Sequence, residues 1–519
     1  MRVRSLPWGL FPVLFSLVLD LPAFRYGISL LDEGFLLDPV MRILAGEVPY
    51  RDFYHFYAPG RFYLCALLFS IFGADLLVSR LLWVFLHAVL VYLIYRSARR
   101  LVASPGYAIV PALLFSVAPG PWFKVFFPLS TVANLLALLR LYERPSRERS
   151  FVAGLIAGGT LLLRQDVGGI SVSIALGMRL FLPRSGGRGA PFRWYAFGLA
   201  LLLVPVGLAF HAADALVPMV DQLLFAGFRG TSANALPMPP LWPRLSAGGG
   251  WVEVAGSFLH RLPPLVYLLT AGWLLWRRWR GRGGNGALTL TMLFGVLTYQ
   301  QDLRRSDIPH LLQCITPAWL LLVAWLEALY GKPTGRSGRW ASRIRTLVGV
   351  GVTAGALLLL CRIDAFDLPH SILSIRGKGY PLDLPRGRVI LRRERGEVIE
   401  GVIAEIARLP EGVPIVALPD IPLVYFLAGR TNPLFFELFR PGHLDEAQEL
   451  RTIERIEAIA PRLIVYDQQH LTDGREENRF EHRFPHLYRY ILRNYRLARQ
   501  IGSFSLLVPR GKGATPWDS

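Results

Sequence analysis

Cysteine is scarce in this chain, and the motifs of the commonest soluble enzymes are missing. The three cysteines among 519 residues, Cys65, Cys314 and Cys361, lie in or beside apolar stretches, so no disulfide framework or zinc-ligand spacing follows. Neither a G-x-S-x-G nucleophile motif nor a P-loop lysine occurs, which removes the commonest hydrolase and NTPase interpretations. The G-x-G-x-x-G match at 281–286 follows a Trp/Arg-rich segment instead of a strand, and a flexible linker is the better interpretation.

Charged residues are also few, at 18% of the chain, whereas 53% are hydrophobic and the mean hydropathy is +0.38. This composition is too apolar for an ordinary soluble enzyme. The net charge of +20 arises in the first 363 residues, which carry 35 basic and 16 acidic residues, against 22 and 21 in the remainder. Because the excess lies in short loops between apolar runs, it indicates the positive-inside rule of membrane proteins and no nucleic-acid partner.

The apolar runs predict a polytopic α-helical membrane protein with about eleven transmembrane helices. The predicted spans lie near residues 6–23, 76–95, 106–120, 123–141, 151–163, 168–182, 194–211, 263–276, 286–300, 308–330 and 345–362. A further apolar stretch at 62–73 is short for a crossing, and counting it would invert every later basic loop. We therefore predict that it is re-entrant or interfacial. The N-terminus is then cytoplasmic and begins a retained span.

Two domains are predicted: a transmembrane domain over 1–363, with its first outer loop at 25–75, and a soluble α/β domain over 364–519. The odd number of crossings places the soluble domain on the periplasmic or extracellular face, with the protein in a bacterial inner or plasma membrane.

Within the soluble domain, Pro414–Leu418 and Leu463–Tyr466 are predicted to be buried strands, with a helix at Leu444–Ala460 between them. Asp420 and Asp467 follow the two strands, where ligand sites often lie, but turn or helix-capping roles explain them better.

An adjacent acid pair, Asp32 and Glu33, follows the first apolar segment. Charge beside a membrane is costly, and carboxylates kept there commonly bind or move protons. A general base needs a carboxylate within hydrogen-bond reach of a substrate hydroxyl and a pKa raised by partial burial, which a membrane edge provides. In the alternative interpretation, Asp32 caps a helix and Glu33 is solvated.

A second polar group lies at the predicted outer ends of later spans. Its members are Arg164, Asp166, Arg304, Arg305, Asp307 and His310. Arginine on the outer face opposes the inside bias, and a planar guanidinium matches phosphate oxygens in bidentate fashion. The histidine could donate to a phosphate or sugar hydroxyl. Pairing of Arg164 with Asp166 and of Arg305 with Asp307, and a structural histidine, are the alternatives. Arg80 and Lys124 are similarly close to the predicted outer face, where snorkelling of their side chains explains them.

The order of these features resembles the GT-C glycosyltransferases that use polyprenyl-phosphate sugars, especially the protein-mannosyltransferase and lipid A aminoarabinose-transferase branch. The resemblance rests on Asp32-Glu33, the Ala-Gly-x-x-Pro-Tyr-Arg-Asp run at 45–52, the Pro-Gly-x-Phe-Tyr-Leu segment at 59–64, Phe72-Gly73 and Arg80. It covers the first 100 residues or so, and beyond them the correspondence is mainly in hydropathy and isolated polar sites.

The resemblance implies that Asp32 is the catalytic base and that Glu33 supports it or binds acceptor. It also implies that Arg164 binds the carrier phosphate, together with Arg304, Arg305 and His310 from a late outer loop that closes over the donor. Further substrate contacts are expected from Arg51, Asp52, Tyr57, Arg61, Arg80, Asp166 and Asp307. No metal-ligand set or cofactor is predicted, and a divalent cation held by the acid pair is left open.

The sequence thus predicts a membrane glycosyltransferase of the cell envelope that acts in glycan biosynthesis. It would pass a hexosyl or pentosyl group from a polyprenyl-phosphate donor to a hydroxyl of a lipid, glycan or protein at the outer leaflet, with inversion. The alternative is a lipid-linked sugar transporter or flippase. A transporter should have polar residues near the middle of its spans, whereas these are mostly Leu, Val, Ala and Phe.

Overall fold

The computed structural model describes residues 8–118, 120–181, 192–226, 235–240, 250–330, 379–440, 442, 444–471 and 474–511. The predicted span at 345–362 and the predicted domain boundary after residue 363 lie outside these residues. The chain divides into two compact units. Unit 1 comprises Met1–Phe24, Leu81–Val206 and Ala235–His370, and unit 2 comprises Arg25–Arg80, Gly207–Asn234 and Ser371–Ser519.

Twenty α-helices occur in the described part of the chain. In chain order, α1 to α10 are Leu10–Ala23, Asp32–Leu44, Gly60–Phe72, Leu76–Leu101, Pro105–Val117, Phe126–Glu143, Arg147–Leu163, Gln165–Phe181, Phe192–Ala212 and Leu216–Val220. Helices α11 to α20 are Gly250–Trp279, Gly286–Thr298, Gln300–Arg304, Ile308–Cys314, Thr316–Tyr330, Arg393–Ala407, Leu423–Leu427, Glu446–Ile459, Phe480–Arg483 and Pro485–Asn494.

Each predicted span within the described residues coincides with a helix, but the count of eleven crossings is not confirmed. By length and composition, two described helices could cross a membrane: α4 and α9. The pair α14 and α15, bent by 60°, adds a third if it is one broken span. The predicted interfacial stretch forms α3, whose 13 residues would extend about 20 Å, short of a hydrocarbon core of about 30 Å.

Small residues allow close helix contacts in unit 1. A Cβ added to Gly154 of α7 would lie 1.9 Å from the carbonyl oxygen of Tyr195 in α9. One added to Gly198 of α9 would lie 2.3 Å from the carbonyl oxygen of Phe151. Such glycine-mediated backbone contact is typical of helix packing in membranes, where lipid removes the usual hydrophobic drive.

Unit 2 joins the first predicted outer loop to the C-terminal part of the chain. An antiparallel hairpin of β1, Gly379–Leu384, and β2, Gly387–Arg392, precedes α16. The backbone next to α2 pairs with this hairpin, because the amide of Gly27 donates to the carbonyl of Ile390 at 3.0 Å. Gly34 of α2 lies against α17, where an added Cβ would be 2.1 Å from the Leu423 nitrogen.

A four-stranded sheet forms the C-terminal part of unit 2, as the predicted α/β architecture requires. Its strands are β3, Ile415–Leu418, β4, Leu463–Asp467, β5, Tyr495–Ile501, and β6, Phe504–Pro509. The order is β3-β4-β6-β5, with β3 and β4 parallel and the other pairs antiparallel. Helix α18 connects the two parallel strands, and the sequence predicted both strands and this helix.

Asp420, which follows β3, is a structural anchor in this sheet. Its buried carboxylate accepts hydrogen bonds from the Phe439 amide at 2.9 Å and the Arg440 Nε at 3.0 Å, and it lies 3.1 Å from the His470 Nε2. Burial raises the pKa of Asp420, but the His470 hydrogen bond and the Arg440 charge more than offset it and lower that pKa to about 2. The carboxylate thus ties two loops to the end of β3, which agrees with the turn role.

Candidate functional site

The acid pair opens helix α2, and the backbone at its start is organised by Ser29. The Ser29 hydroxyl accepts a hydrogen bond from the Asp32 amide at 3.0 Å, and the Glu33 carboxylate accepts one from the Ser29 amide at 2.9 Å. Leu31 is the N-cap and makes no side-chain cap bond, so the alternative in which Asp32 caps the helix is wrong. Asp32 is instead the first residue of the helix, where the positive end of the helix dipole favours a carboxylate.

Glu33 is buried and fully engaged. Its carboxylate receives two hydrogen bonds from Arg80, from Nε at 2.8 Å and from Nη2 at 2.9 Å, and each residue is only 4% exposed. Arg80 also donates to the Gly27 carbonyl at 2.8 Å. The interpretations of Glu33 as solvated and of Arg80 as a snorkelling side chain are therefore both wrong. A bidentate arginine in this setting fixes the carboxylate in place.

Asp32, the neighbouring residue, is less buried and less constrained than Glu33. It is half-buried, and the hydrogen bond that its carboxylate accepts from the Ser29 hydroxyl is long, at 3.3 Å. Asp32 forms no ion pair among the described residues of unit 2. One acid of the pair is thus fixed by an internal cation, while the other keeps lone pairs for an external proton donor.

The rest of the first outer loop carries the other predicted substrate residues of unit 2. Arg51 pairs with Asp52 at 2.8 Å on an exposed turn, and the hydrogen bond from Arg51 lowers the pKa of Asp52. The guanidinium of Arg61 lies 4.1 Å from the centre of the Tyr57 ring. His55 stacks on Phe35 of α2 in the same aromatic cluster, with ring centres 4.2 Å apart. This cluster fixes the loop against the second turn of α2.

The sequence analysis did not identify two buried acids of unit 2, Asp38 and Glu437. Burial raises the pKa of Asp38 to about 7, although Arg42 opposes it, and burial also raises that of Glu437. Asn432 donates to the Asp38 carboxylate at 3.0 Å, and Arg42 donates to the Leu434 carbonyl at 2.7 Å. The available signal was an acid within an apolar run, Phe-Leu-Leu-Asp-Pro-Val in the case of Asp38. Asp38 and Arg42 thus bind the loop at 432–434 to α2.

In unit 1, Arg164 pairs with Asp166 at the α7–α8 turn, as the alternative interpretation proposed. The two side chains form a bidentate contact at 3.0 and 2.6 Å, and the guanidinium lies 4.6 Å from the centre of the Phe127 ring. Arg164 is buried, whereas Asp166 is half-buried. The Phe127 ring of α6 therefore packs on the arginine that is predicted to bind phosphate.

The late loop of unit 1 forms a cationic group around one carboxylate. Asp307 accepts from Arg305 Nε at 2.7 Å, lies 2.5 Å from His310 Nδ1, and caps α14 by accepting from the His310 amide. Burial raises the pKa of Asp307, but the His310 and Arg305 hydrogen bonds outweigh it and hold that pKa below its usual range. Lys124 is close enough to act on His310 electrostatically, and Arg304 is exposed. The sequence analysis attributed Lys124 to snorkelling.

A second histidine near this loop was missed. His260 of α11 places Nδ1 2.8 and 3.0 Å from the two oxygens of Asp302, and both residues are almost fully buried. Pro264 has no amide hydrogen to give the His260 carbonyl, and the Tyr299 hydroxyl donates to that carbonyl instead. The contacts fix the start of the late loop against α11. Histidine four residues before a proline in an apolar segment was the available signal.

Unit 1 also contains a buried polar cluster between α1 and α4. The Asp20 carboxylate lies 2.5 Å from the His87 Nδ1 and accepts from the Ser16 hydroxyl at 2.8 Å. All three residues are at most 5% exposed. An ionisable pair inside apolar helices is costly unless it is mutually satisfied, so this cluster is a specific joint between the two helices.

The predicted site residues are therefore divided between the two units, in several local sets of contacts. Unit 2 holds Asp32, Glu33, Arg51, Asp52, Tyr57, Arg61 and Arg80, and unit 1 holds Arg164, Asp166, Arg304, Arg305, Asp307 and His310. Among the residues that the structure describes, no three His, Cys, Asp or Glu side chains are grouped as metal ligands would be.

No protein-family model and no curated protein sequence matches the chain. Solved structures do match it. The archaeal oligosaccharyltransferase AglB from Archaeoglobus fulgidus, in complex with an inhibitory peptide and a dolichol-phosphate, superposes with a TM-score of 0.56 at 11% identity, over 98% of this chain and 74% of that one. ArnT from Cupriavidus metallidurans bound to undecaprenyl phosphate gives a TM-score of 0.57 at 12% identity, over 96% and 97%. Identities this low establish architecture and leave activity to the site. The resemblance predicted from the sequence is confirmed at that level: the chain has the GT-C fold.

Proposed function

We propose that the protein is a membrane glycosyltransferase that moves a sugar from a polyprenyl phosphate to an acceptor hydroxyl, with Asp32 as the general base. The observation that carries the proposal is the unequal state of the acid pair: Glu33 is buried against Arg80, while Asp32 is half-buried and outside any ion pair of its unit. The GT-C fold supports the reaction class. ArnT bound to undecaprenyl phosphate and AglB in complex with a dolichol-phosphate support the donor class.

In the proposed reaction, Asp32 removes the acceptor hydroxyl proton as the hydroxyl oxygen forms its bond to the anomeric carbon. The bond from that carbon to the phosphate oxygen breaks on the opposite side, and its electron pair leaves with the polyprenyl phosphate. This displacement inverts the anomeric centre. A carboxylate that reaches the acceptor hydroxyl suits such a step.

The leaving phosphate gains negative charge, and the proposal assigns its stabilisation to the arginines of unit 1. Arg164 and Arg305 are each oriented by an adjacent carboxylate, at 2.6 and 2.7 Å respectively. Arg304 is exposed and available for an anion. A pre-oriented guanidinium needs little reorganisation when the charge develops, which is how such groups accelerate reactions.

Glu33 has a positioning role in this proposal. Its bonds to Arg80 and to the Ser29 amide hold the first turn of α2, from which Asp32 projects. A carboxylate that accepts two hydrogen bonds from a buried arginine is a poor proton acceptor, because taking up a proton would break the ion pair.

The test is transfer from a panel of radiolabelled polyprenyl-phosphate sugars by purified wild type, Asp32→Asn and Asp75→Asn. Asp75 caps α4 through the Leu77 amide and is a matched control, because asparagine also caps. We expect transfer by wild type and the control and a loss of at least about 100-fold in Asp32→Asn. Equal transfer by Asp32→Asn at equal folded protein would remove Asp32 as the base. Movement of lipid-linked sugar across vesicles without transfer would favour the transporter.

A further inference from the structure

The far end of helix α11 carries an unusual concentration of tryptophan and arginine. We call it the Trp–Arg end, and it consists of Trp273, Trp276, Arg277, Arg278, Trp279, Arg280 and Arg282. The helix stops at Gly281, whose φ of +67° lies in the left-handed region that favours glycine. The Arg282 amide then donates to the Arg277 carbonyl at 3.0 Å. This reversal brings the last arginine back beside the final helical turn.

The aromatic rings organise the guanidinium groups of this end. Arg277 lies 4.8 Å from the centre of the Trp273 ring, and Arg282 lies 5.6 Å from that of Trp276. Arg280 lies 5.5 Å from the centre of the Trp279 ring. Cation–π contacts of this length orient a guanidinium face while leaving its N–H edge open. The cations are thus held in place without being neutralised.

Among the described residues, no carboxylate forms an ion pair with the arginines of the Trp–Arg end. The sequence has no Asp or Glu between Glu253 and Asp302, and none of the four arginines has an ion pair among the described residues. Arg277 donates to two nearby carbonyls, which leaves its charge uncompensated. By contrast, Arg100 at the end of α4 pairs with Glu143. Arg278, Arg280 and Arg282 are exposed and Arg277 is half-buried. Because none of them has a counterion among the described residues, the group fits an external anion.

The chemistry along α11 indicates where that anion lies. Leu265, Leu268 and Leu275 are 55%, 72% and 68% exposed, as side chains against hydrocarbon would be. Exposed Trp276 and Trp279 follow, interleaved with the arginines. The change from apolar residues to mixed aromatic and basic residues along one helix follows the polarity gradient from the membrane core to its headgroups.

We propose that the Trp–Arg end binds the phosphodiester headgroups of anionic phospholipids. The guanidinium N–H groups would donate to phosphate oxygens, and the tryptophans would lie at the level of the glycerol backbone. The Trp–Arg end shares no residue with the acid pair or the late loop. Its binding of lipid would not depend on the protein being a glycosyltransferase.

The test compares three proteins in nanodiscs of phosphatidylcholine with and without phosphatidylglycerol. They are the wild type, a variant with arginines 277, 278, 280 and 282 all changed to glutamine, and a control variant with Arg96, Arg99, Arg100 and Arg149 changed to glutamine. The control removes the same charge from four arginines that lie over no tryptophan ring and bond instead to a tyrosine hydroxyl, backbone carbonyls or Glu143. Native mass spectrometry counts retained lipids, and thermal unfolding reports the stabilisation by phosphatidylglycerol.

We expect wild type and control to retain phosphatidylglycerol and to unfold at a higher temperature in its presence. The Trp–Arg variant should lose at least about tenfold in affinity for that lipid, since each basic residue near an anionic surface contributes measurably. Undiminished retention by this variant, or an equal loss in the control, would overturn the site. Equal stabilisation by free glycerophosphate in phosphatidylcholine discs would overturn the assignment to lipid.

Discussion

Replacing Glu33 with glutamine should cost far more stability than replacing Asp32 with asparagine, although the two residues are adjacent. Glutamine keeps the shape of glutamate but removes the negative charge that Glu33 presents to the Arg80 guanidinium, which is only 4% exposed. Of the three hydrogen bonds at the Glu33 carboxylate, two come from that guanidinium and one from the Ser29 amide. Breaking a buried ion pair from one side typically costs about 3–5 kcal/mol.

The expected cost for Asp32→Asn is below about 1 kcal/mol, because its carboxylate accepts a single long hydrogen bond, at 3.3 Å, that an asparagine oxygen can also accept. For a unit of this size, the cost of Glu33→Gln corresponds to a lowering of the midpoint by about 6–20 °C. Thermal unfolding in detergent, followed by intrinsic fluorescence, separates the two variants.

The double variant Glu33→Gln/Arg80→Met sharpens the comparison, because it removes both charges. We expect it to regain more than half of the stability lost in Glu33→Gln, since replacing both members of a buried pair is often close to neutral. Transfer per folded molecule should then fall most in Asp32→Asn. A midpoint for Glu33→Gln equal to that of the wild type would refute the reasoning, as would an Asp32→Asn protein destabilised as much as Glu33→Gln.

Three other changes probe the remaining buried polar and close-packed sites. Burial raises the pKa of Asp38 to about 7, so the folded form holds a proton that the unfolded form has released. Stability should therefore fall by about 4 kcal/mol from about pH 4 to pH 7, and Asp38→Asn should flatten that slope in denaturation series; an unchanged slope would contradict this. Gly34→Ala should cost about 3 kcal/mol or more, because its Cβ would lie 2.1 Å from the Leu423 nitrogen, whereas Gly177→Ala, with open space around it, should leave the unfolding midpoint unchanged or slightly higher. His87→Ala should cost about 1–3 kcal/mol by leaving a buried carboxylate without its partner, and transfer per folded molecule should stay normal; a loss of transfer at normal stability would contradict a purely structural role.

The sequence predicted best what depends on local pattern. Apolar length located the helices, and the buried strands at 415–418 and 463–467 followed from short apolar runs bounded by turn residues. The helix between them, Glu446–Ile459, has an Asp445 capping box and matching periodicity. Such signals lie within a few residues of one another, so they can be read without knowing the fold.

The sequence could not predict pairings between distant segments. Glu33 and Arg80 are 47 residues apart, and Asp38 and Asn432 are 394 apart. Nothing near either residue marks its partner, because a buried ion pair is specified by packing that brings two elements together. For the same reason the snorkelling interpretation of Arg80 was wrong: the arginine is close to a span end, but its carboxylate belongs to another helix. The His260–Asp302 pair was missed on the same ground.

The backbone pairing of Gly27 with Ile390 has a consequence for how the protein is made. The ribosome completes α2 more than 300 residues before it reaches β2, an interval of roughly 15–70 s at usual rates of chain elongation. During that interval the segment before the acid pair lacks its backbone partner, while the intervening helices are synthesised. The surroundings of the acid pair are thus among the last parts of the protein to be completed. A chain released before β2 would lack the strand with which Gly27 pairs.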